Sequence, residues 1–226
     1  GMINFSSNGS NDLNNTNTLR SKIINDLNYS SQDFLSDNGF RNNFNLNLKN
    51  LNSMGKNDSE YKSNPQVELM GLVSINTSLP LIKKDNRFNN FLTPKISLKI
   101  NPNDMKNYNS TDRKMNVANI FNDNRLGISD SLESGRSINL GLDYKKENLS
   151  DINKYFEIKL ATVLRDKEED FIPRNTTIGK KNSNLFGSIN NSLSEFIDIK
   201  YNFAIGNDYK SFEDNNLNSK IIFDNF

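Results

Sequence analysis

Residues 113–146, RKMNVANIFNDNRLGISDSLESGRSINLGLDYKK, decide the fold of this chain, because a loop rich in charge and glycine leads into a regular alternation. In the second half, Ile138, Leu140 and Leu142 alternate with Asn139 and Gly141. Successive side chains of a strand point to opposite faces, so this pattern predicts a half-buried β-strand. The loop before it carries the candidate site residues Arg125, Gly127, Asp130, Glu133, Gly135 and Arg136.

Similar alternation recurs along the chain, broken by clusters of Asn, Asp, Gly, Ser and Pro, whereas helical periodicity is weak. The pattern predicts an all-β fold, an antiparallel meander of about nine or ten strands. The candidate strands are joined by turns or by extended polar loops, with no helical crossover of the kind that parallel pairing needs. The candidate strands cover residues 19–29, 44–48, 67–75, 96–100, 136–146, 156–165, 185–193, 196–205 and 217–223.

Local features add three expectations about these strands. Residues 53–64 are rich in turn-forming types and should form an exposed loop. Residues 67–75 are apolar at positions on both faces, which predicts burial on both faces. Pro94 and Pro102 cannot donate to a ladder, so they should mark the two ends of the strand at 96–100.

The composition excludes several classes of function. The chain has 226 residues and a formal net charge of +1, so its charge gives no reason to expect a nucleic-acid partner. It has neither cysteine nor histidine, which removes disulfides, Cys/His metal sites and nucleophile–histidine catalysis. No run approaches the roughly 20 apolar residues of a membrane helix. We divide the chain into a polar N-terminal lead with a tag remnant, residues 1–17, and an antiparallel β domain, residues 18–226.

Short segments along residues 40–223 match a known pattern in order and spacing. TSLPL at 77–81 precedes FLTPKI at 91–96, NIF at 119–121 precedes NRLGISD at 124–130, and TVLRDK at 162–167 precedes SNLFG at 183–187. Together they resemble the LPS-assembly outer-membrane protein family, the LptD, OstA or organic solvent tolerance proteins. The chain has Ser131 where the family often has arginine, so a specific Asp–Arg pair does not carry over.

The resemblance implies a fold, a role and partners. The chain would be the middle part of the family's C-terminal domain, a partial outer-membrane β-barrel. Its parent would lie in the outer membrane of a Gram-negative cell and insert lipopolysaccharide into the outer leaflet, with no catalysis, cofactor or metal. The implied partners are lipopolysaccharide, a lipoprotein plug and a periplasmic lipid-transport bridge. A partial barrel has two open strand edges and an apolar outer face, so we also expect self-association.

The loop motif and the lysines each allow two interpretations. Arg125 and Arg136 could bind lipid phosphates, but a motif with balanced charge more naturally forms an ion-paired loop. The glycines at 127, 135 and 141 should serve turns and close approach of the backbone. Lysines opposite the apolar stripes could face a barrel lumen or a solvated sheet face, and the stripes could face lipid or a soluble core. The candidate lumen-facing lysines are Lys95, Lys99, Lys159 and Lys200.

Two other classes of protein remain open at this point. A secreted or surface β-sandwich binding module would use the long Asn/Ser-rich loops for recognition and would pack two sheets around a closed core. A carboxylate-dependent hydrolase on a β scaffold would need two converging carboxyl groups about 5–10 Å apart. The sequence places no such pair, so we rank the hydrolase last.

Overall fold

The computed structural model describes residues 1–194 and 196–223, so Glu195 and residues 224–226 of the predicted β domain lie outside the described residues. The described residues contain twelve strands and one short 3₁₀ helix, Arg174–Thr176. The strands are β1 (Met2–Asn14), β2 (Thr18–Ser30), β3 (Phe34–Leu35), β4 (Arg41–Lys56), β5 (Gln66–Ser78), β6 (Leu81–Lys84), β7 (Phe88–Asn101), β8 (Gly135–Asn148), β9 (Tyr155–Arg165), β10 (Leu185–Ser194), β11 (Ile197–Ile205) and β12 (Phe212–Ile221).

All twelve strands belong to one antiparallel sheet, and the predicted all-β meander is confirmed. The order is β1-β2-β4-β5-β7-β8-β9-β10-β11-β12, with β3 beside β4 and β6 beside β7. Among the described residues, β1 and β12 are the two edges, and no pairing joins them. The β-sandwich interpretation is therefore wrong, because a sandwich needs two packed sheets. The prediction of nine or ten strands missed β3 and β6, which are too short to show a period, and the polar β1.

Edge strand β1 lies within the segment 1–17, which the sequence marks as a polar lead. Its residues pair continuously with β2, from Met2 opposite Ser30 to Asn14 opposite Thr18. A backbone ladder needs no apolar side chains, so a polar segment joins the sheet once a neighbouring strand offers its edge.

The two faces of the sheet have opposite character and opposite exposure. Ile138 and Leu140 lie on what we call the apolar face, and Ser137 and Asn139 lie on the polar face. Side chains exposed on the apolar face include Phe5, Leu27, Val67, Leu69, Ile75, Ile96, Ile138, Leu140, Leu142 and Leu217. Residues buried on the polar face include Lys49, Ser74, Ser97, Lys99, Asn101, Ser137, Asn139, Arg165 and Ser188. Over the middle strands the chain thus buries its polar face and exposes its apolar one, the reverse of a water-soluble sheet.

Two long connections fold back onto the polar face. We call residues 102–134, between β7 and β8, the inserted loop, and residues 166–184, between β9 and β10, the second loop. They leave the same end of the sheet, which we call the long-loop end, because β7 and β9 run in the same direction. The main core lies between these loops and the strands; it contains Met105, Met115, Val117, Ile120, Leu126, Ile128, Ala161, Val163, Ile172, Ile178, Phe186 and Ala204.

Three local expectations fail in whole or in part. Residues 67–75 are not buried on both faces, since Val67 and Leu69 are 73% and 69% exposed on the uncovered apolar face. Residues 53–64 are not simply an exposed loop, because β4 continues to Lys56 and Tyr61 is buried. Pro102 directly follows the last residue of β7, as predicted, but Pro94 lies inside β7. The Pro94 carbonyl accepts a hydrogen bond from the Leu79 amide, and no N–H is needed there because Pro94 lies between the residues that pair with β5 and those that pair with β6.

No helix among the described residues is long and apolar enough to cross a membrane.

Candidate functional site

The candidate site is the contact between the inserted loop and the polar face. Two glycines shape the loop, with φ of +62° at Gly127 and +80° at Gly135, values that other residues rarely adopt. Between Asn124 and Ile128 the chain closes a turn: the Asn124 side chain donates to the Ile128 carbonyl (3.0 Å) and accepts from the Ile128 amide (3.1 Å). These turns aim Arg125 inward, at the sheet.

Arg125, Glu133 and Arg165 form a buried ion-paired triad. Arg125 Nε donates to Glu133 Oε2 at 2.6 Å, and both arginines also donate to Glu133 Oε1. Arg125 Nη1 reaches Asn139 Oδ1 of β8 at 2.7 Å, and Arg165 Nη1 reaches the Ser134 carbonyl at 3.0 Å. Neither arginine side chain is exposed. The triad therefore ties the inserted loop to β8 and β9.

The two arginines keep Glu133 ionised inside the protein. Burial alone would raise the pKa of this carboxyl, because it removes the charge from water. The positive charges of Arg125 and Arg165 outweigh burial and lower the pKa of Glu133 to about 2. A carboxylate in this state does not donate protons near neutral pH.

Asp130 is the centre of a second cluster on the same loop. It accepts hydrogen bonds from the hydroxyls of Tyr61 (2.7 Å) and Tyr108, and from Lys106 Nζ at 3.1 Å. Burial opposes its ionisation, but the tyrosine hydrogen bonds and the Lys106 charge together lower the pKa of Asp130. The pKa values of Tyr61 and Tyr108 are raised, mainly by burial and secondly by the hydrogen bond that each donates to Asp130. Tyr61 precedes β5, so Asp130 joins two loops.

Further contacts fix the middle of the inserted loop, and the sequence did not single them out. Asp123 accepts from Asn45 (2.9 Å) and Asn47 (3.0 Å) of β4 and from Ser74 of β5 (2.6 Å). Lys99 donates to the Asn122 carbonyl. In the sequence, the alternation of asparagines with apolar residues in β4 predicts that Asn45 and Asn47 share one face of the sheet, but it does not predict that Asp123 is their partner.

The structure brings together only part of the predicted loop motif. Arg125 and Glu133 meet, and Asp130 belongs to the separate tyrosine cluster. Arg136 lies apart on the apolar side, where its 61% exposed side chain pairs with Asp166. Gly141 of β8 lies under the loop, and a Cβ there would be 2.6 Å from Cζ of Phe121.

The four candidate lysines share the polar face but have different surroundings. Lys99 is buried beneath the inserted loop. Lys95 pairs with Asp143 at 2.9 Å, and Lys159 pairs with Glu157 at 3.0 Å. Lys200, in β11, is half exposed and lies 3.6 Å from Asp198. Lys95, Lys159 and Lys200 therefore remain accessible beside the inserted loop, and each is partly neutralised by a carboxylate.

The contacts of this site attach the inserted loop and leave the Arg125 guanidinium without room for a phosphate. Within the described ranges, no three carboxylates converge in a way that could hold a metal ion. The guanidinium of Arg125 is enclosed and already bonded to Glu133, Asn139, Ser137 and the Ile120 carbonyl. A phosphate would have to displace these partners.

Comparison with known protein families gives a match over most of the chain. The model of the family described as LptD, LPS transport system D, matches residues 47–219, which include β5 to β11, the inserted loop and the triad. No curated protein matches the chain.

Proposed function

Because the chain belongs to the LptD family, which transports and assembles lipopolysaccharide at the outer membrane, we propose that its sheet forms part of the wall of a translocon that inserts lipopolysaccharide into the outer leaflet. The wall would act without catalysis, through a hydrophilic inner side and an apolar outer side. The buried carboxylate of Glu133 is held ionised by two arginines, which supports a structural role.

The observation that carries this proposal is that the sheet exposes its apolar face while the loops cover its polar face. The polar face buries Lys99, Asn101 and Asn139, whereas the apolar face leaves Ile138, Leu140 and Leu142 in contact with the surroundings. Exposed apolar area is unfavourable in water at roughly 25 cal/mol for each Å², and a bilayer removes that cost. Alternation with the apolar residues outward is the pattern of outer-membrane strands.

The connections support an orientation in the membrane. Strands of outer-membrane proteins are joined by short turns on the periplasmic side and by longer loops outside the cell. Both the inserted loop and the second loop leave the long-loop end, whereas three residues, 85–87, join β6 to β7 at the other end. We therefore place the long-loop end outside the cell.

The loop motif and the lysines would have separate roles in this wall. The triad fastens the inserted loop inside the lumen, and Gly127, Gly135 and Gly141 give the loop its turns and its close approach. Lys99 belongs to that fastening, because it donates to the loop carbonyl of Asn122. The accessible Lys95, Lys159 and Lys200 would guide the phosphate and acidic sugar groups of the cargo.

The family resemblance also supports partners for the polar face. A lipoprotein plug would fit against the parts of this face that the loops leave uncovered, which include β1 and β12, where almost every residue is exposed. A periplasmic bridge would deliver lipopolysaccharide at the end opposite the long-loop end.

Adjacent residues of β12 provide the test. Asn216 lies on the polar face, in register with Asn202, and Leu217 lies on the apolar face, in register with Tyr201. A photo-crosslinking amino acid at position 216 of the intact protein in cells should capture lipopolysaccharide, and one at position 217 should capture phospholipid. No capture of lipopolysaccharide at 216, or no capture of phospholipid at 217, would refute the assignment of the faces.

A further inference from the structure

A polar cleft at the long-loop end has no role in the anchor described above. Its volume is about 1020 Å³, and we call it the loop cleft. One wall is formed by residues 59–62 and by Gln66 and Glu68 of β5, and the other by residues 106–111 of the inserted loop. It is lined by twelve residues, of which Ser53 lies at the end of β4.

The first wall is held rigidly. Asp58 accepts from the backbone amides of Glu60 (2.8 Å) and Tyr61 (2.9 Å) and from Arg20 Nε at 2.8 Å. The amide of Gly55 donates to the Lys62 carbonyl at 2.8 Å. A short loop with this many internal bonds is ordered before any ligand arrives.

The second wall is fixed to the first through Asp130. Tyr61 donates to Asp130 from the first wall, and Lys106 and Tyr108 donate to it from the second. The Lys106 ammonium also lies 3.8 Å from the centre of the Tyr61 ring. A cleft whose two walls share one buried carboxylate is preorganised, which lowers the entropic cost of binding.

One polar group in the cleft lacks a protein partner. Ser53 is 5% exposed and lines the cleft, and among the described residues its hydroxyl has no hydrogen-bond partner. An unsatisfied buried hydroxyl is unfavourable, so a ligand or water that supplied the missing bond would be stabilised there.

The lining indicates the chemistry of the ligand. Four charged residues line the cleft. Lys106 forms an ion pair with Asp130, and Glu60 forms one with Arg20. The other two, Lys62 and Glu68, have opposite charges. The lining therefore has no net charge to attract an ion. Its other members include groups that donate and accept hydrogen bonds: Ser53, Ser59, Gln66, Asn107, Ser110 and Thr111.

We propose that the loop cleft binds an uncharged, hydroxyl-rich segment of a saccharide. This proposal rests on the proposed function for the source of the ligand, which at the outer end of a lipopolysaccharide translocon is the saccharide part of the cargo. A free oligosaccharide offers the same hydroxyl chemistry, so the experiment separates the two sources.

Binding is measured by isothermal titration calorimetry on the intact protein in detergent micelles. The two probes are the saccharide released from lipopolysaccharide by mild acid, and maltohexaose. The double variant Gln66→Ala with Glu68→Ala should bind at least about tenfold more weakly, the effect of losing two hydrogen bonds of about 1 kcal/mol each. Its matched control is Gln32→Ala with Glu168→Ala, the same residue types at exposed positions outside the cleft.

Ser53→Ala separates a binding role from a structural one. Because the hydroxyl has no partner among the residues that the structure describes, its removal should weaken saccharide binding without lowering the stability of the fold. Binding of the released saccharide alone identifies the cargo as the source, and binding of both probes identifies hydroxyl-rich glycans in general. No saturable binding of either probe, or equal binding by the double variant, would overturn the proposal. The photo-crosslinks at positions 216 and 217 are independent of this cleft, so they test the translocon role separately.

Discussion

Replacing Glu133 by glutamine should release the inserted loop from the wall. The change removes the carboxylate that lies between the Arg125 and Arg165 side chains, neither of which is exposed. Breaking a buried ion pair by removing one partner costs about 3–5 kcal/mol, because the other charge stays buried without compensation. Both arginines keep other acceptors, including Asn139 Oδ1 and the Ser134 carbonyl, so we expect the lower part of this range.

The lowered pKa of Glu133 indicates a loss in the same direction. The folded protein lowers this pKa from 4.5 to about 2. At about 1.4 kcal/mol for each pKa unit, the ionised carboxylate contributes about 3 kcal/mol to stability at neutral pH.

Equilibrium unfolding in urea, with the protein in detergent micelles, measures the loss for Glu133→Gln. Limited proteolysis of residues 102–134 then shows whether the loop itself has been released. The control is Asp166→Asn, which removes the exposed partner of Arg136 and should cost less than about 1 kcal/mol. If Glu133→Gln costs no more than this control and the loop stays protected, the triad does not anchor the loop.

Three further predictions concern the same wall. Because the pKa of Glu133 is lower in the folded protein, its contribution to the free energy of unfolding is complete above about pH 4.5 and should disappear as the pH falls toward about 2. Urea titrations at a series of pH values measure this loss. A Glu133→Gln variant with the same pH profile as the unchanged protein would contradict the prediction. Gly141→Val should shift or release the loop, since a Cβ at this position would lie 2.6 Å from Phe121 Cζ, and limited proteolysis would show faster cleavage of the loop. Gly9→Ala is the control, because its Cβ would make only ordinary contacts, the nearest at 3.6 Å, and it should leave the cleavage rate unchanged. Leu140→Arg on the apolar face should cost about 2–4 kcal/mol when unfolding is measured in lipid vesicles, and tolerance within about 0.5 kcal/mol would refute contact with a bilayer.

Local periodicity was sufficient to predict the class of fold and several strands. Residues 136–146 and 156–165 became β8 and β9, paired from Ser137 opposite Arg165 onward, as the alternation of apolar and polar residues predicts. The same reasoning failed where side chains carry no period, as in β1, and where burial depends on a distant segment, as at Val67 and Leu69.

The partners of the loop residues lay beyond any local pattern. The sequence placed Arg125, Asp130 and Glu133 in one loop, but Arg165 is 32 residues from Glu133 and Tyr61 is 69 residues from Asp130. Such contacts depend on how the inserted loop turns back over the sheet. The register of the intervening strands sets that geometry.

The sequence by itself determined an antiparallel all-β fold and divided each strand into an apolar and a polar set of residues, because side chains alternate with a period of two. It did not determine which set faces outward, since the alternation is the same whichever face is covered. Only the tertiary structure decided this, when the inserted loop covered the polar face with its own apolar residues, Ile120 among them, and with ionic contacts centred on Glu133. The apolar face was left exposed because both long connections leave the long-loop end and fold onto the opposite face.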